Sequence, residues 1–268
     1  MNIIVCIKQV PDAAKVEIDP DSGSLIREGV DSKINIYDLY ALETALSIRE
    51  QTGGTITTVC MGPNQAADAI RETLMLGADD GVLISDRAFA GSDVLATSYT
   101  LSQAIRVLLA PQTFDLIICG KQTSDGDTAQ VGPALAEYLN IPHAAWITEI
   151  SAASRDGLKL TQDFTDYELK IFMPYPCLIT VEKGNVVPRY PSYQRKREFA
   201  AHEIRTLTLA DLPDGDSKHY GQNGSATNVE RIFPPTSNTD RIIWDAEMEL
   251  MADKLYDLLV ERRFLEVD

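Results

Sequence analysis

A loop rich in glycine, hydroxyl and carboxylate side chains gives the clearest chemical signal in this chain of 268 residues. It follows the apolar run at 116–119, begins with Gly120 and has a second glycine, Gly126, two residues before Thr128. Glycine lets a backbone turn sharply and lets a ligand approach it closely, and the first N–H groups of a helix bind anions. With a helix predicted from Thr128 onward, the loop is expected to cradle a phosphate or diphosphate.

Two carboxylates, Asp125 and Asp127, stand in the same loop. We expect one to cap the following helix and the other to bond a ribose hydroxyl or turn outward. A structural alternative stays open on these residues alone, namely an Asp/Gly turn that only caps a helix. The loop matches neither G-x-G-x-x-G nor G-x-x-x-x-G-K-[ST], so it supports neither the usual dinucleotide fingerprint nor a P-loop kinase.

The other reactive side chains give weaker signals. His143, His202 and His219 fit no metal-ligand spacing, and the sequence contains neither a C-x-x-C pair nor a G-x-S-x-G elbow. Cys6 and Cys119 end predicted central strands, where cysteine usually serves as a small apolar residue. We therefore predict no metal site and no catalytic side chain.

The elements that must position the loop alternate in the first half of the chain. Short β-branched runs are separated by amphipathic segments of helical length, which is typical of β-α-β units and a parallel sheet. We predict strands at 3–7, 56–61, 81–84 and 116–120, and helices at 38–51, 64–76, 93–109 and 128–139. A hairpin is predicted at 16–30, and Asn64 and Gly77 are expected to start and stop the second helix. Ligands of such sheets bind beyond the carboxyl ends of the strands, where the loop lies.

The second half of the chain shows a different pattern. Alternating segments around Asp156-Gly157 and the run at 177–181 predict hairpins or edge strands added to the sheet. Residues 188–205 are basic and aromatic, and we expect them to dock an acidic protein partner. A last helix is predicted at about 240–263; its apolar stripe packs on its own domain or covers a partner subunit. The pattern predicts a domain at 1–185 and a C-terminal arm at 186–268.

The charge excludes some classes of protein. With 24 Lys+Arg against 40 Asp+Glu the net charge is −16, which opposes binding to nucleic acid or to an anionic membrane surface. No apolar run approaches the roughly 20 residues that span a bilayer, and no cationic stretch precedes the first apolar run. We therefore expect a cytoplasmic protein with free thiols, without a membrane span or a nucleic-acid partner.

Five motifs, in order over about the first 180 residues, resemble the beta subunit of electron-transfer flavoprotein. They are V-C-I-K-Q-V-P-D at 5–12, N-I-Y-D-L-Y-A-L-E at 35–43, M-G-P at 61–63, L-G-A-D at 76–79 and the loop at 120–133. The resemblance implies a Rossmann-like α/β domain, a parallel sheet flanked by helices, whose extended C-terminal arm embraces an alpha subunit.

The resemblance also implies a cofactor. In that family the alpha subunit carries the flavin that shuttles electrons, and the beta subunit holds AMP in respiratory members or a second FAD, reduced by NADH, in electron-bifurcating members. The stretch D-G-D-T-A-Q-V-G-P at 125–133 and the segment 86–98 resemble the bifurcating branch. FAD is therefore expected, with AMP as the alternative, NAD(H) as substrate, and ferredoxin and a flavin dehydrogenase as partners. A stand-alone nucleotide-sensing protein of the same fold is a further alternative.

The resemblance assigns site residues in three groups. Those expected along the adenosine and ribose are Cys6, Asn35, Ile36, Tyr37, Asp38 and Met61. Those expected around the phosphates are Gly120, Lys121, Gln122, Thr123, Ser124, Asp125, Gly126, Asp127, Thr128, Ala129, Gln130 and Val131. Asp93 and Thr97 are expected near the rest of a full FAD. Two departures from the family's pattern are Ile36, where proline is frequent, and Asn185, where respiratory members place the leucine that anchors their dehydrogenase.

Overall fold

A computed structural model describes residues 1–12, 17–18, 25–26, 32–109, 113–164, 166–184, 186–230, 243–244 and 247–265. Its strands are β1 Asn2–Ile7, β2 Gln9–Pro11, β3 Glu17–Ile18, β4 Leu25–Ile26, β5 Ser32–Ile34, β6 Thr55–Met61, β7 Asp80–Ile84, β8 Leu116–Gly120, β9 His143–Ala153, β10 Gly157–Phe164, β11 Tyr167–Pro174, β12 Cys177–Val181 and β13 Arg205–Leu207. Its helices are α1 Ile36–Thr52, α2 Ala67–Leu76, α3 Val94–Leu109, α4 Val131–Leu139, α5 Tyr193–Glu198, α6 Gly221–Gly224 and α7 Met248–Glu261.

Nine strands form one sheet in the order β11-β10-β9-β12-β8-β1-β6-β7-β13. Every neighbouring pair from β9 to β13 is parallel, whereas β10 runs antiparallel to both of its neighbours, β9 and β11. The central strands are apolar on both faces because helices cover both. One core contains Leu42 of α1 and Ile70 of α2; the other contains Ile105 of α3 and Leu135 of α4. The predicted α/β fold with a largely parallel, helix-flanked sheet is confirmed.

Two predicted helix starts are wrong. The helix predicted from residue 128 begins at Val131, because Asp127 and Ala129 have φ of 52° and 56°, which no right-handed helix contains. Asn64 does not cap the second helix: it starts a short 3-10 turn after Pro63, and its side chain accepts a hydrogen bond from Ser85 Oγ at 3.2 Å. The predicted stop at Gly77 is confirmed by its φ of 135°.

The added strands are confirmed, and one lies deeper than expected. The antiparallel β9-β10-β11 unit includes the hairpin predicted around Gly157. The run at 177–181 is no edge strand, since β12 lies between β8 and β9 and all five of its residues are buried. The predicted hairpin at 16–30 is represented by the antiparallel pair β3–β4, and its other residues lie outside those that the structure describes.

Residues 186–230 pack as part of the sheet domain. Contacts divide the chain into the units Met1–Ile232 and Phe233–Asp268, whereas the sequence predicted a boundary after residue 185. The difference arises because β13 pairs with β7, and because the guanidinium of Arg189 reaches Glu43 at 2.7 Å. The side chain of Arg195 likewise donates to Leu74 O at 2.7 Å, at the end of α2. The expectation that this basic segment as a whole docks an acidic partner is therefore wrong for Arg189 and Arg195, which bind their own chain.

The second unit contains α7, whose start at Met248 is later than the predicted 240; residues 240–242 are outside the description. No residue of α7 is buried, and Met248 is 82% exposed. In the described part of the chain, no helix has the length and apolar character needed to cross a membrane.

Candidate functional site

The parallel strands β1, β6, β7, β8 and β12 end together at one edge of the sheet, which we call the carboxyl edge. Two of the connections that leave this edge are the β7–α3 loop (residues 85–93) and the β8–α4 loop (residues 121–130). The predicted site residues lie in these loops, at the ends of β1 and β6, and at the start of α1. The topology therefore brings the sequence-predicted residues to a single edge.

Asn35 fixes the β8–α4 loop to the start of α1. It is fully buried; its Nδ2 donates to Gln122 O at 2.8 Å, and its Oδ1 accepts from the Ser124 N–H at 3.2 Å. Its own backbone N–H donates to Lys8 O at 2.9 Å. The Asn35 side chain thus holds the backbone of the β8–α4 loop, and its own backbone is fixed to the residue after β1, so Asn35 sets the spacing between these two segments.

Asp38 braces the ends of β1 and β8. Its Oδ2 accepts from the Lys8 N–H at 2.7 Å, and a Cβ added to Gly120 would lie 2.5 Å from its Oδ1. Only glycine fits at position 120 for this reason. Burial raises the pKa of Asp38 to about 7, although hydrogen bonds from Lys8 and Asn35 oppose the rise.

The two loop carboxylates have partners other than the helix. Both oxygens of Asp125 accept from Lys8 Nζ, at 2.8 and 2.7 Å, and this partner lowers the pKa of Asp125 against the effect of burial. Asp127 accepts from Gln122 Nε2. The cap of α4 is Gln130, without a side-chain hydrogen bond. The prediction that one acid caps this helix is therefore wrong, because Lys8 binds the carboxylate of Asp125 and Gln122 binds that of Asp127.

The unusual backbone conformations of the β8–α4 loop occur after Gly126 and not at Gly126 itself. The left-handed residues are Asp127 and Ala129, and Gly126 is not among them. For alanine this conformation costs roughly 1–2 kcal/mol. Such strain is concentrated at ligand-binding sites. It is a local feature that the residue types did not predict.

The strained turn leaves a set of backbone donors without acceptors. In the described part of the chain no acceptor receives the N–H groups of Gly126, Thr128, Ala129 or Gln130, and α4 starts at the next residue. Unpaired N–H groups at the positive end of a helix are the donors that bind phosphate. The donor set therefore fits the phosphate of a nucleotide.

The residues expected along an adenosine lie beside this loop. Cys6 and Cys119 are buried register partners on β1 and β8; the hydrogen bond that the Cys119 thiol donates to Cys6, and then burial, hold the pKa of Cys119 well above its usual value. Met61 ends β6 and is half-buried, and Ile36 is exposed. The Tyr37 ring lies 5.7 Å from the ammonium of Lys183.

Asp93 and Thr97 lie at the start of α3, where the chain already uses the Asp93 carboxylate. Its Oδ1 accepts from the Ala96 N–H at 3.0 Å, and its Oδ2 accepts from the N–H and hydroxyl of Thr227 at 2.9 and 3.0 Å. The start of α3 also reaches the β8–α4 connection, since Ser98 Oγ donates to Val131 O at 3.3 Å. The structure thus places the starts of α3 and α4 side by side, with Asp93 engaged as a cap.

Three residues at this edge were missing from the predicted site. Lys8, in the motif after the first strand, binds Asp125. Glu182, directly after β12, forms an ion pair with Lys121, whose ammonium lies 4.9 Å from the ring centroid of Trp146. The position of Lys8 after a predicted strand was a usable signal. Trp146 and Glu182 gave none, because the place of β12 inside the sheet was not predicted.

Comparisons with known proteins agree with this architecture. The family model of the electron transfer flavoprotein domain matches residues 22–212. The chain is 46% identical over 245 residues to the electron transfer flavoprotein subunit beta of Thermoanaerobacterium thermosaccharolyticum, covering 90% of each chain. It is 39% identical over 272 residues to the subunit beta of Megasphaera elsdenii, covering 99% of this chain and 100% of the relative. It is 39% identical over 244 residues to protein FixA of Azotobacter vinelandii, covering 90% and 86%. The chain therefore belongs to the beta-subunit family of electron transfer flavoproteins and takes part in electron transfer.

Proposed function

We propose that this chain is the beta subunit of an electron-bifurcating electron transfer flavoprotein and that the β8–α4 loop holds the phosphates of a second FAD. When bound, this flavin would exchange hydride with NAD(H) and exchange single electrons with a ferredoxin and with the FAD of an alpha subunit that serves a partner dehydrogenase. The residues of this chain bind and orient the cofactor.

The observation that carries the proposal is the set of backbone donors before α4. The N–H groups of Gly126, Thr128, Ala129 and Gln130 have no acceptor in the described chain. Lys8 balances the charge of Asp125, so one of the two loop carboxylates is partly offset. Neutral donors and a helix terminus bind an anion without needing a basic surface, which agrees with the acidic composition.

The junction of α3 with α4 favours a dinucleotide over a mononucleotide. The hydrogen bond from Ser98 Oγ to Val131 O joins the donor set to the start of α3. The segment 86–98, which resembles the bifurcating branch, ends at this contact. Thr97 is half-buried there and keeps a hydroxyl for the cofactor, whereas the Asp93 carboxylate holds α3 and Thr227 in place.

The second candidate is a respiratory-type carrier with AMP at the same donors. The single phosphate of AMP can accept from these N–H groups just as the diphosphate of FAD can. In that case the subunit is a structural clamp without redox chemistry of its own. The two candidates predict different nucleotide contents for the same purified complex.

The test is to purify the chain with its alpha subunit, extract the nucleotides with acid and count them by chromatography. Two FAD and no AMP per heterodimer is the expected result, and one FAD plus one AMP overturns the bifurcating version. Gln130→Glu places a carboxylate at the donor set, so it should release the second nucleotide and retain the alpha-subunit FAD. Gln222→Glu, an exposed matched control, should retain both.

The proposal also requires the alpha subunit as a partner. The exposed apolar side chains of α7, among them Met248 and Leu255, are suited to a protein surface. Size-exclusion chromatography of the chain expressed alone tests this point. We expect aggregation or an anomalous elution volume, and a stable monomer would favour the stand-alone nucleotide sensor.

A further inference from the structure

Trp146 has a backbone conformation that a large side chain rarely adopts. Its φ is 58°, a genuine outlier for a bulky residue. It lies in β9 where the pairing with β12 shifts register, and its N–H donates to Oγ1 of the buried Thr180 at 2.9 Å. Bulges of this kind redirect a side chain and are frequent beside binding sites. With 42% of its surface exposed, Trp146 is not in this conformation to fill the core.

The redirected ring lies beside the first residue of the β8–α4 loop, which carries the phosphate donors. Thr180, which holds the Trp146 backbone, also packs against the start of α4, because a Cβ added to Gly132 would lie 2.4 Å from Thr180 Cγ2. The ammonium of Lys121 lies 4.9 Å from the centroid of the Trp146 ring. Lys121 is the first residue of the β8–α4 loop. The strained tryptophan and the phosphate loop therefore meet through this lysine.

The Lys121 cluster comprises Lys121 after the end of β8, Glu182 after the end of β12, and Trp146 at the bulge within β9. The Lys121 N–H donates to Val181 O at 2.9 Å, which fixes its backbone to β12. The Glu182 N–H donates to Ile147 O at 3.0 Å, which fixes the carboxylate to β9. The ammonium pairs with Glu182 while it rests on the indole. An aromatic face attracts a cation without neutralising it.

The two lysines of the loop region are held in different ways. Lys8 is bound by both oxygens of Asp125. Lys121 shares its charge between one carboxylate and a ring, so its ammonium keeps capacity for a second anion. A phosphate with two charges competes well against a single carboxylate for such a group.

We propose that Lys121 senses the phosphate charge of the bound nucleotide, that Trp146 positions its ammonium, and that Glu182 holds the ammonium until phosphate replaces the carboxylate. This inference rests on the proposed nucleotide site and adds how that site distinguishes phosphorylated from unphosphorylated ligands. Trp146 acts through Lys121 and is a positioning residue. The strain at Trp146 is explained by the need to bring a ring under the lysine.

The variants have effects of opposite sign, which a loss of packing would not produce. Lys121→Met should lower the affinity for ADP by about tenfold, the effect of one charged hydrogen bond, and leave adenosine unchanged. Trp146→Leu should lower ADP affinity by about three- to tenfold, whereas Trp146→Phe keeps an aromatic face and should stay within about twofold. Glu182→Gln should raise ADP affinity, because the competing carboxylate is gone.

The experiment is calorimetric titration with ADP and with adenosine of the complex with the alpha subunit, after the nucleotide held by this chain has been removed. Trp244→Phe, which changes the other tryptophan, is the matched control and should bind as the wild type does. In a Lys121→Met background the Trp146→Leu change should have no further effect. The inference is overturned if Trp146→Leu weakens ADP and adenosine equally, if its effect persists without Lys121, or if Glu182→Gln weakens ADP.

The outcomes separate this inference from the proposed function. If the wild type binds neither ADP nor adenosine, the nucleotide site itself fails and the inference fails with it. If the wild type prefers ADP and the three variants leave that preference intact, only the role of the Lys121 cluster is overturned. Should Trp146→Leu not fold, Lys121→Met and Glu182→Gln still decide the result by the sign of their effects.

Discussion

The β7–α3 loop and the β8–α4 loop leave the same edge of the sheet, but they differ in how many of their polar groups are hydrogen-bonded to the rest of the chain. In the first, Asp86 accepts from the N–H groups of Ala88 and Leu209, and Asp93 accepts from those of Ala96 and Thr227. Leu209 and Thr227 belong to residues 208–227, which we call the strap. In the second loop, the described residues offer no acceptor to four backbone N–H groups and no side-chain cap to α4.

The difference shows how one topology serves two purposes. The strap supplies N–H and hydroxyl donors and apolar side chains that close the β7–α3 loop, including the buried Tyr220, whose ring centroid lies 5.5 Å from that of Phe89. No described segment closes the β8–α4 loop in this way, and its strain is retained. Backbone strain and unpaired donors at one loop, beside a neighbour whose two carboxylates are bonded to the strap, are typical of a ligand site.

The largest effect is expected at the start of the β8–α4 loop, which we call the open loop because its backbone donors lack acceptors among the described residues. Gly120→Ala places a Cβ 2.5 Å from Asp38 Oδ1 and 2.7 Å from the backbone of Tyr37. We expect a loss of about 2–3 kcal/mol in the free energy of unfolding, as for other overpacked sites, and loss of bound nucleotide. Gly215→Ala, in the strap and without neighbours within 4 Å, should change neither. Chemical denaturation and nucleotide extraction measure both; a stable, loaded Gly120→Ala variant would contradict the account.

Asp38 beneath the open loop should make stability depend on pH. Its pKa is about 7 in the fold against 3.8 as the reference value, so between these values the folded chain holds a proton that the unfolded chain has lost. Stability contributed by this group is therefore present below about pH 4 and falls as pH rises towards 7, by up to about 1.4 kcal/mol per pH unit. Asp38→Asn should flatten the slope of unfolding free energy against pH in this window. Parallel slopes would show that Asp38 is ionised in the fold.

Paired carboxylate deletions compare the two loops directly. Asp93→Ala removes the cap of α3 and the bond to Thr227, and should cost about 1–2 kcal/mol of stability. Asp125→Ala removes an exposed pair with Lys8 and should cost less than about 1 kcal/mol, while nucleotide affinity rises as the loop loses a negative charge. Thermal unfolding and ADP titration of both variants give the comparison. Equal stability losses would mean that the loops are equally closed.

The smallest effect concerns strain. Ala129→Gly relieves a positive φ and should stabilise the chain by roughly 0.5 kcal/mol after the added entropy of the unfolded state. Ala226→Gly, in the strap and outside the positive-φ region, should destabilise it by a similar amount. Melting temperatures of the two variants should therefore move in opposite directions. If both melting temperatures moved in the same direction, the backbone of Ala129 would not be strained.

The sequence predicted where strands and helices lie along the chain better than it predicted which strands are neighbours in the sheet. The apolar run ending in Gly120 predicted β8 correctly, because residue types with glycine punctuation specify a short buried strand. The equally apolar run of β12 could not reveal that it inserts between β8 and β9, since pairing partners far apart in the chain leave no local trace. The start of α4 was predicted at Thr128 rather than Val131. The residue types around Ala129 give no sign that its backbone is left-handed, so the sequence could not show that the helix begins later.

The site was predicted in outline through its loop, and its internal partners were not. The glycine, hydroxyl and carboxylate pattern located the β8–α4 loop, while the bonds of Asp125 to Lys8 and of Asp93 to Thr227 depend on tertiary contacts. The bulge at Trp146 also depends on pairing with β12. FAD, NAD(H), ferredoxin and a dehydrogenase stay predictions of this sequence.

The most direct test of the β8–α4 loop is amide hydrogen exchange of this chain in its complex with the alpha subunit, with its own nucleotide removed, in the presence and absence of ADP. The account predicts that ADP protects the N–H groups of Gly126, Thr128, Ala129 and Gln130, while those of residues 86–93 exchange as before. Protection confined to residues 86–93 and the strap, or unchanged exchange at 126–130 when ADP is bound, would contradict it.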